Sequence, residues 1–274
     1  MYADLHLHST YSDGKDTPRE LYNLAKNQDI KVVSITDHDT VNGQKAWLAE
    51  QIPRDIKIIP GIEISTEINH KMLHILGYYI NIFDERLEQF IDAISAEKTE
   101  TTRLNFENAC ANNVFSYKWE RVLELNEGQP RVSGVHVVKA METDGYKIPG
   151  VDLWDIFYKY FWPENANYIS HQTFTGYDAV DIIKAVGGVP VIAHPKSIEN
   201  DNIVMDLIRH GAQGIEVYHP THSDEDIKKY LQMAETEKLY VTGGTDWHGE
   251  GVISEITHFG MCGLIDDKYP ILSL

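Results

Sequence analysis

The stretch Tyr2-Ala3-Asp4-Leu5-His6-Leu7-His8-Ser9 alternates apolar and polar side chains with a period of two. That is the period of a strand, with Leu5 and Leu7 on one face and Asp4, His6 and His8 on the other. A face carrying one carboxylate and two imidazoles is costly to bury unless the groups are paired or hold an ion. Two imidazoles two residues apart on one face can grip a single cation. The strand is therefore expected to present metal-binding side chains.

The same arrangement recurs along the chain. Val32-Val33-Ser34-Ile35-Thr36 runs into Asp37-His38-Asp39, and Gly61-Ile62-Glu63-Ile64-Ser65 sets a carboxylate inside an apolar run. Met72-Leu73-His74-Ile75-Leu76 does the same with an imidazole, and Val191-Ile192-Ala193 ends at His194-Pro195. The final run leads into Gly243-Gly244-Thr245-Asp246-Trp247-His248, and Asp13-Gly14 lies in the polar loop after the first strand. Nine candidate ligands follow: His6, His8, Asp13, His38, Glu63, His74, His194, Asp246 and His248. Imidazole and carboxylate suit Zn, Mn or Fe, and the set is too large for one ion and sufficient for two or three. Asp37 and Asp39 are read as outer partners that orient imidazoles, with Asp39 or Thr40 as a helix cap the alternative.

Strand and helix patterns alternate. Thr17-Pro18-Arg19-Glu20 carries the signature of a helix start. The periodicity predicts helices over 41–50, 177–186, 202–210 and 224–238, and strands over 32–36, 57–65, 72–79, 189–193, 214–218 and 239–242. Residues 84–168 are different, being polar and helix-periodic with little strand character. They are read as a small helical insertion, a substrate lid, within a main body made of residues 1–83 and 169–274. Repeated strand-then-helix with buried strands predicts an α/β barrel, closed or nearly so, whose site lies at the carboxyl ends of its strands.

Composition limits the partners. The chain has 274 residues, 42% of them hydrophobic and 24% charged, with a formal net charge of −18. No basic cluster offsets that charge, so tracking along a long nucleic acid is not expected. A small phosphate ester is still compatible: Asp13, Glu63 and Asp246 bring three negative charges, and three divalent ions would reverse the local sign. No apolar run reaches eighteen residues and no signal peptide is evident. Cys110 and Cys262 are read as small packed side chains, and a reducing cytoplasm is the expected compartment. His219 and His222 follow a strand and border the expected pocket. Arg131 and His136 lie in the insertion, where either can clamp a phosphate or, alternatively, form a salt bridge or cap a helix.

Asp4-Leu5-His6-Leu7-His8-Ser9, Thr36-Asp37-His38-Asp39, Gly61-Ile62-Glu63-Ile64-Ser65, His74-Ile75-Leu76-Gly77, Ala193-His194-Pro195 and Gly244-Thr245-Asp246-Trp247-His248 together resemble the polymerase and histidinol phosphatase (PHP) family, in that family's motif order. The likeness is to its stand-alone phosphoesterases with a helical insertion. It implies a distorted (β/α)7 barrel and a trinuclear site. One ion would take His6, His8, Glu63 and Asp246, a second Asp13, His38 and His248, and a third Glu63, His74 and His194. It also implies hydrolysis of a phosphate ester by a hydroxide bridging two ions, with Asp13, His38, Glu63, Asp246 and His248 at the reaction centre. Arg131, His136 and His219 would bind substrate. The expected substrate is a phosphate monoester of a small nucleotide, such as the 3′-phosphate of a bisphosphorylated nucleotide or AMP. Phosphodiester or 5′-to-3′ exonuclease action on short oligonucleotides or cyclic phosphates is the alternative, and histidinol-phosphate-type, carbon–nitrogen hydrolase and non-catalytic roles are weighed behind it. Pro130-Arg131-Val132-Ser133-Gly134-Val135-His136 departs from the family's Gly-Arg-Pro-His run by spacing the Arg and His further apart.

Overall fold

In the computed structural model, which describes residues 1–171 and 173–274, the leading strand β1 (Ala3–Leu7) is buried along its whole length. Helix α1 (Pro18–Asn27) opens with the expected reciprocal cap, in which Thr17 Oγ1 accepts from Glu20 N–H and the Glu20 carboxylate accepts from Thr17 N–H. Then come β2 (Val32–Ile35), α2 (Asn42–Ala49), β3 (Lys57–Ile58), β4 (Gly61–Ile68) and β5 (Lys71–Tyr78). The left-handed pair Asn69 and His70, with φ of 52° and 63°, turns β4 into β5. Four helices follow: α3 (Glu85–Ala111), α4 (Trp119–Leu125), α5 (Gly134–Thr143) and α6 (Leu153–Tyr160). Alternation resumes with α7 (Gly176–Ala185), β6 (Val189–Ile192), α8 (Asp201–His210), β7 (Gly214–Tyr218), α9 (Asp224–Glu237) and β8 (Tyr240–Gly243). Among the described residues no helix is long and apolar enough to cross a membrane.

The fold is mixed α/β, but its strands do not form one continuous seven-stranded barrel. Three parallel strands make one sheet in the order β1-β2-β3. The other has the order β4-β5-β6-β7-β8, antiparallel between β5 and β6 and parallel from β6 to β8. Between the sheets, among the described residues, there are single bridges, His38 to Glu63 and Leu7 to Trp247. The ladders stop where the chain bends. Asp39, His194 and Asp246 have φ of 52°, 24° and 53°, a backbone geometry that cannot extend a strand. Gln44 helps hold the gap, its Nε2 donating to Ile35 O at 2.6 Å and Gly61 O at 3.1 Å.

Contacts divide the chain into two compact units. One comprises Met1–Thr66, Leu73–Gln89 and Gly176–Leu274. Its core includes Leu5, Ile59, Leu76, Tyr78 and Val191, and a second cluster of Leu7, Leu21, Ile35, Trp47 and Trp247. The other comprises Glu67–Met72 and Phe90–Thr175, with a core built on Phe106, Phe115, Val137, Met141 and Ile156.

Two outcomes follow. In the first unit, Asp37 is buried and accepts from Ser9 N–H (2.7 Å), Ser9 Oγ (2.7 Å) and Ser12 Oγ (2.6 Å). A Cβ on Gly43 would overlap Asp37 Oδ2 and lie 2.7 Å from Ser9 Oγ. Alanine in a helix gains about 1 kcal/mol over glycine, whereas overpacking against a pinned group costs about 1–3 kcal/mol. Gly43→Ala is therefore expected to lower the melting temperature, and a rise would show that the Asp37 loop yields. In the second unit, Asp144 accepts from Arg121 Nε (3.0 Å), Arg121 Nη2 (2.8 Å) and Tyr117 Oη (2.7 Å), which hold its carboxyl down to about 2. A lowered carboxyl stabilises the fold above its usual range and loses that contribution as pH falls through the folded value. The melting-temperature gap between wild type and Asp144→Asn should close between pH 4 and 2; a gap that persists would contradict the pairing.

Candidate metal centre

The candidate ligands come from seven segments of the first unit. His6 and His8 project from β1 and its end, Asp13 from the following loop, and His38 from the end of β2. Glu63 and His74 lie on β4 and β5, His194 follows β6, and Asp246 and His248 follow β8. The loop carrying Asp13 is tied down by the three hydrogen bonds that Asp37 accepts and by Lys15 N–H donating to His248 O. The loop after β8 is tied to β1 through Asp4, which accepts from Thr245 N–H at 2.9 Å and from the Thr245 hydroxyl.

Three overlapping groups have ligand atoms within 4.8 Å of one another: His6, His8, Glu63 and Asp246; His8, Asp13, His38 and His248; and His38, Glu63 and His74. The first is the set the family resemblance implies for one ion. The second adds His8 to the expected trio. The third contains His38 where His194 was expected, although His194 Nε2 lies 3.1 Å from Glu63 Oε1, the oxygen that His74 Nδ1 approaches at 2.9 Å.

Burial and pairing make the cluster unusual. His6, His8 and Glu63 are fully buried. Their atoms approach closely: His6 Nε2 lies 3.1 Å from Glu63 Oε2 and 3.3 Å from Asp246 Oδ1, and His8 Nε2 lies 3.2 Å and 3.0 Å from the same two oxygens. Yet His6 Nε2, both ring nitrogens of His8, Asp13 Oδ1, Glu63 Oε2 and Asp246 Oδ1 are buried and make no directional hydrogen bond among the described residues. Buried polar atoms are rarely left so. A neutral imidazole offers one lone pair, so His6, one nitrogen of His8 and the oxygens of Asp13, Glu63 and Asp246 are donors of the kind that divalent cations accept.

The rings are oriented from behind. His248 Nδ1 faces Asp246 O at 2.9 Å, so it carries the proton and leaves Nε2 facing Asp13 Oδ1 at 3.3 Å. Ser197 donates its hydroxyl to His194 O, so His194 Nδ1–H donates to Ser197 Oγ at 2.9 Å and Nε2 is left toward Glu63. Thr221 N–H donates to His219 Nδ1 at 3.3 Å, which places the His219 proton on Nε2, 3.4 Å from Asp246 Oδ2. His219 thus enters the site as a hydrogen-bond donor.

The electrostatics show a negative well. Burial pushes the His8 imidazolium down, but Asp246 and Glu63 outweigh it and take the group up to about 10. Burial likewise opposes ionisation of Glu63, yet His6, His38 and His74 hold its carboxyl well below the usual range. Asp13 and Asp246 are held low in the same way, with burial opposing and His248 and His6 respectively the leading attractions. A field that draws protons onto imidazole in a dry interior also draws divalent cations.

Some expected roles shift. Asp37 orients the loop that carries Asp13, not an imidazole. Asp39 accepts from Ser65 N–H and Oγ, and Ser65 Oγ lies 3.2 Å from His38 Nδ1, so its influence on the ring is indirect. In the second unit, His136 Nδ1 accepts from Ser133 N–H at 3.0 Å and caps α5. Arg131 lies just before α5 in that unit. Of the other histidines, His70 is exposed beside Glu67, His210 pairs with Asp181, and His222 donates Nδ1–H to Val217 O. One residue escaped the sequence reading: Glu216, buried on β7 and 3.0 Å from His6 Nδ1. Ile215-Glu216-Val217 carries the same signal as Ile62-Glu63-Ile64, a carboxylate alone in a buried apolar strand.

Comparison with known proteins agrees with this geometry. The PHP domain profile matches residues 4–161. A 3′,5′-nucleoside bisphosphate phosphatase from Chromobacterium violaceum is 29% identical over 253 residues, covering 90% of this chain and 87% of that protein. A phosphoribosyl 1,2-cyclic phosphate 1,2-diphosphodiesterase from Eggerthella lenta is 28% identical, covering 95% and 98%. A crystal structure from Bifidobacterium adolescentis, described as a metal-dependent phosphoesterase, superposes with a TM-score of 0.76 at 26% identity, covering 95% of this chain and 93% of the other. The chain belongs to the PHP family and is a metal-dependent hydrolase of phosphate esters.

Proposed function

We propose that the protein is a phosphomonoesterase of small nucleotides, removing a phosphate such as the 3′-phosphate of a nucleoside bisphosphate. The observation that carries the reading is the set of six buried nitrogen and carboxylate atoms without a directional hydrogen bond, gathered on either side of His8 in two overlapping ligand groups of the first unit. The Chromobacterium relative, a nucleoside bisphosphate phosphatase, supports the substrate class. So does the formal charge of −18, which disfavours a long polyanion.

His6, His8, Glu63 and Asp246 are assigned to one ion, Asp13, His38 and His248 to a second, and Glu63, His74 and His194 to a third. Bound divalent ions (Mn, Fe or Zn) supply Lewis acidity to phosphoryl oxygens and lower the pKa of water. The chain's own residues do the rest. Glu63 offers one oxygen to each side of the cluster, Oε2 toward His6 and His8 and Oε1 toward His74 and His194. His219, with its proton on Nε2 and Nδ1 held by Thr221, is assigned to donating a hydrogen bond from Nε2–H to a phosphoryl oxygen of the substrate. The buried walls at His6, His8 and Glu63 exclude bulk water. The helical segment 84–168 is assigned to substrate recognition, and Arg131 within it to binding a phosphate, for which a guanidinium is suited.

A second reading, diester cleavage of a cyclic sugar phosphate, is favoured by the near full-length match to the Eggerthella diphosphodiesterase. Phosphate release by Mn²⁺-loaded protein separates the two. A panel of 3′,5′-bisphosphorylated adenosine, AMP, histidinol phosphate, a cyclic ribose phosphate and a short oligonucleotide is expected to show preference for a nucleotide monoester. Preference for the cyclic phosphate would replace the first reading with the second, and inertness toward all five would overturn both.

The ligand groups make a second, sharper prediction. Asp13 belongs to one group and Glu63 to two. Asp13→Ala and His38→Ala should abolish turnover with the far-UV circular dichroism unchanged. By metal analysis, Glu63→Ala should lose more bound metal per chain than Asp13→Ala. Equal losses, or retained turnover in both single variants, would overturn the grouping.

A further inference from the structure

Glu216 lies in the middle of β7 (Gly214–Tyr218) with no exposed surface. A carboxylate so placed must be offset by donors, and this one has two on different segments. Oε1 faces His6 Nδ1 at 3.0 Å, and Oε2 accepts from His194 N–H at 2.8 Å. Since an ionised carboxylate only accepts, His6 carries its proton on Nδ1. Its Nε2 lone pair is thereby turned to Glu63 Oε2 and Asp246 Oδ1, 3.1 and 3.3 Å away. The second bond anchors a backbone that needs it: His194 sits at φ 24°, ψ 61°, a sparsely populated geometry that persists only where the surroundings hold it.

We infer that Glu216 is a positioning residue of the metal centre, one carboxylate that fixes the ring of His6 and the backbone of His194 and so sets two ion sites together. This rests on the ligand assignment above. Outer partners of this kind govern the affinity of the ions they never touch. Glutamine cannot replace it: the amide has one acceptor oxygen, and its NH₂ would meet a donor at the other position.

The test uses the full chain. Glu216→Gln, with folding checked by circular dichroism and melting temperature, is titrated with Mn²⁺ by calorimetry and metal analysis beside wild type and Asp13→Ala. Binding of Mn²⁺ to the folded variant is expected to weaken about 10–100-fold at more than one site, with kcat reduced more than KM. Asp13→Ala should lose a single site. A merely structural Glu216 would lower the melting temperature and leave Mn²⁺ affinity and stoichiometry at wild-type values, which would overturn the inference while sparing the ligand assignment. Should Glu216→Gln fail to fold, ¹⁵N NMR of histidine-labelled, Zn²⁺-loaded wild type decides: a proton on His6 Nδ1 is expected, and a deprotonated or metal-bound Nδ1 overturns the inference. Wild type that takes up no ion would overturn the ligand assignment and, with it, the role given to Glu216.

Discussion

Everything in the first unit answers to one constraint, the burial of carboxylates and imidazoles in a shared dry interior. Glu63, His6, His8, Asp4, Asp37 and Glu216 are all essentially without solvent contact. Each ionised group so buried needs partners or neutralises. Asp37 finds three donors in the loop after β1, Asp4 finds them in the loop after β8, and Glu216 finds one in β1 and one after β6. The inner atoms of Glu63, His8, Asp13 and Asp246 find none. Carboxylates satisfied by hydrogen bonds thus surround an inner set of carboxylates and imidazoles that lack them, an arrangement suited to receiving cations.

The interruption of the sheets follows from the same constraint. A continuous barrel ladder would keep strand-end residues extended, with alternate side chains facing away from the axis. The left-handed residues Asp39 and Asp246 follow β2 and β8, at the edges where, among the described residues, the two sheets meet by single bridges. Backbone pairing given up there is partly returned by the His38–Glu63 and Leu7–Trp247 bridges and by Gln44.

Local pattern made most of this readable. Alternation along Asp4-Leu5-His6-Leu7-His8 identifies β1, Thr17 and Glu20 identify the start of α1, and the strand read over 214–218 is Gly214–Tyr218. Polar residues within or just after apolar runs point to eight of the nine candidate ligands, because the cost of burying them is a property of the segment alone; Asp13 is read from the polar loop after the first strand. What was not readable depends on long-range geometry. How the two sheets pair along their edges is a long-range property, and no composition rule forces Asp39 or Asp246 into the left-handed region there. Which imidazole meets which Glu63 oxygen is set by packing to a fraction of an ångström: His74 and His194 approach Oε1, and His6, His8 and His38 approach Oε2. Glu216 was passed over although Glu63 was recognised, because its strand ends in no further ligand. His136, placed three residues after Ser133, caps α5 through Nδ1, the local role that its spacing offers beside phosphate binding.

The bonds that complete the centre span almost the whole polypeptide: Thr245 to Asp4, His6 to Glu216, and His6 to Asp246. Closing loops of that length costs entropy before any contact is gained, and pairings of high sequence separation are slow to form. During synthesis the earliest ligands, His6 and His8, emerge long before Asp246 and His248. Until the strand-and-loop of β8 is made, β1 has no partner for Asp4 and the acidic interior has no closing wall. The cluster is therefore joined from both ends of the polypeptide, and its closure belongs to the slow, long-range part of folding.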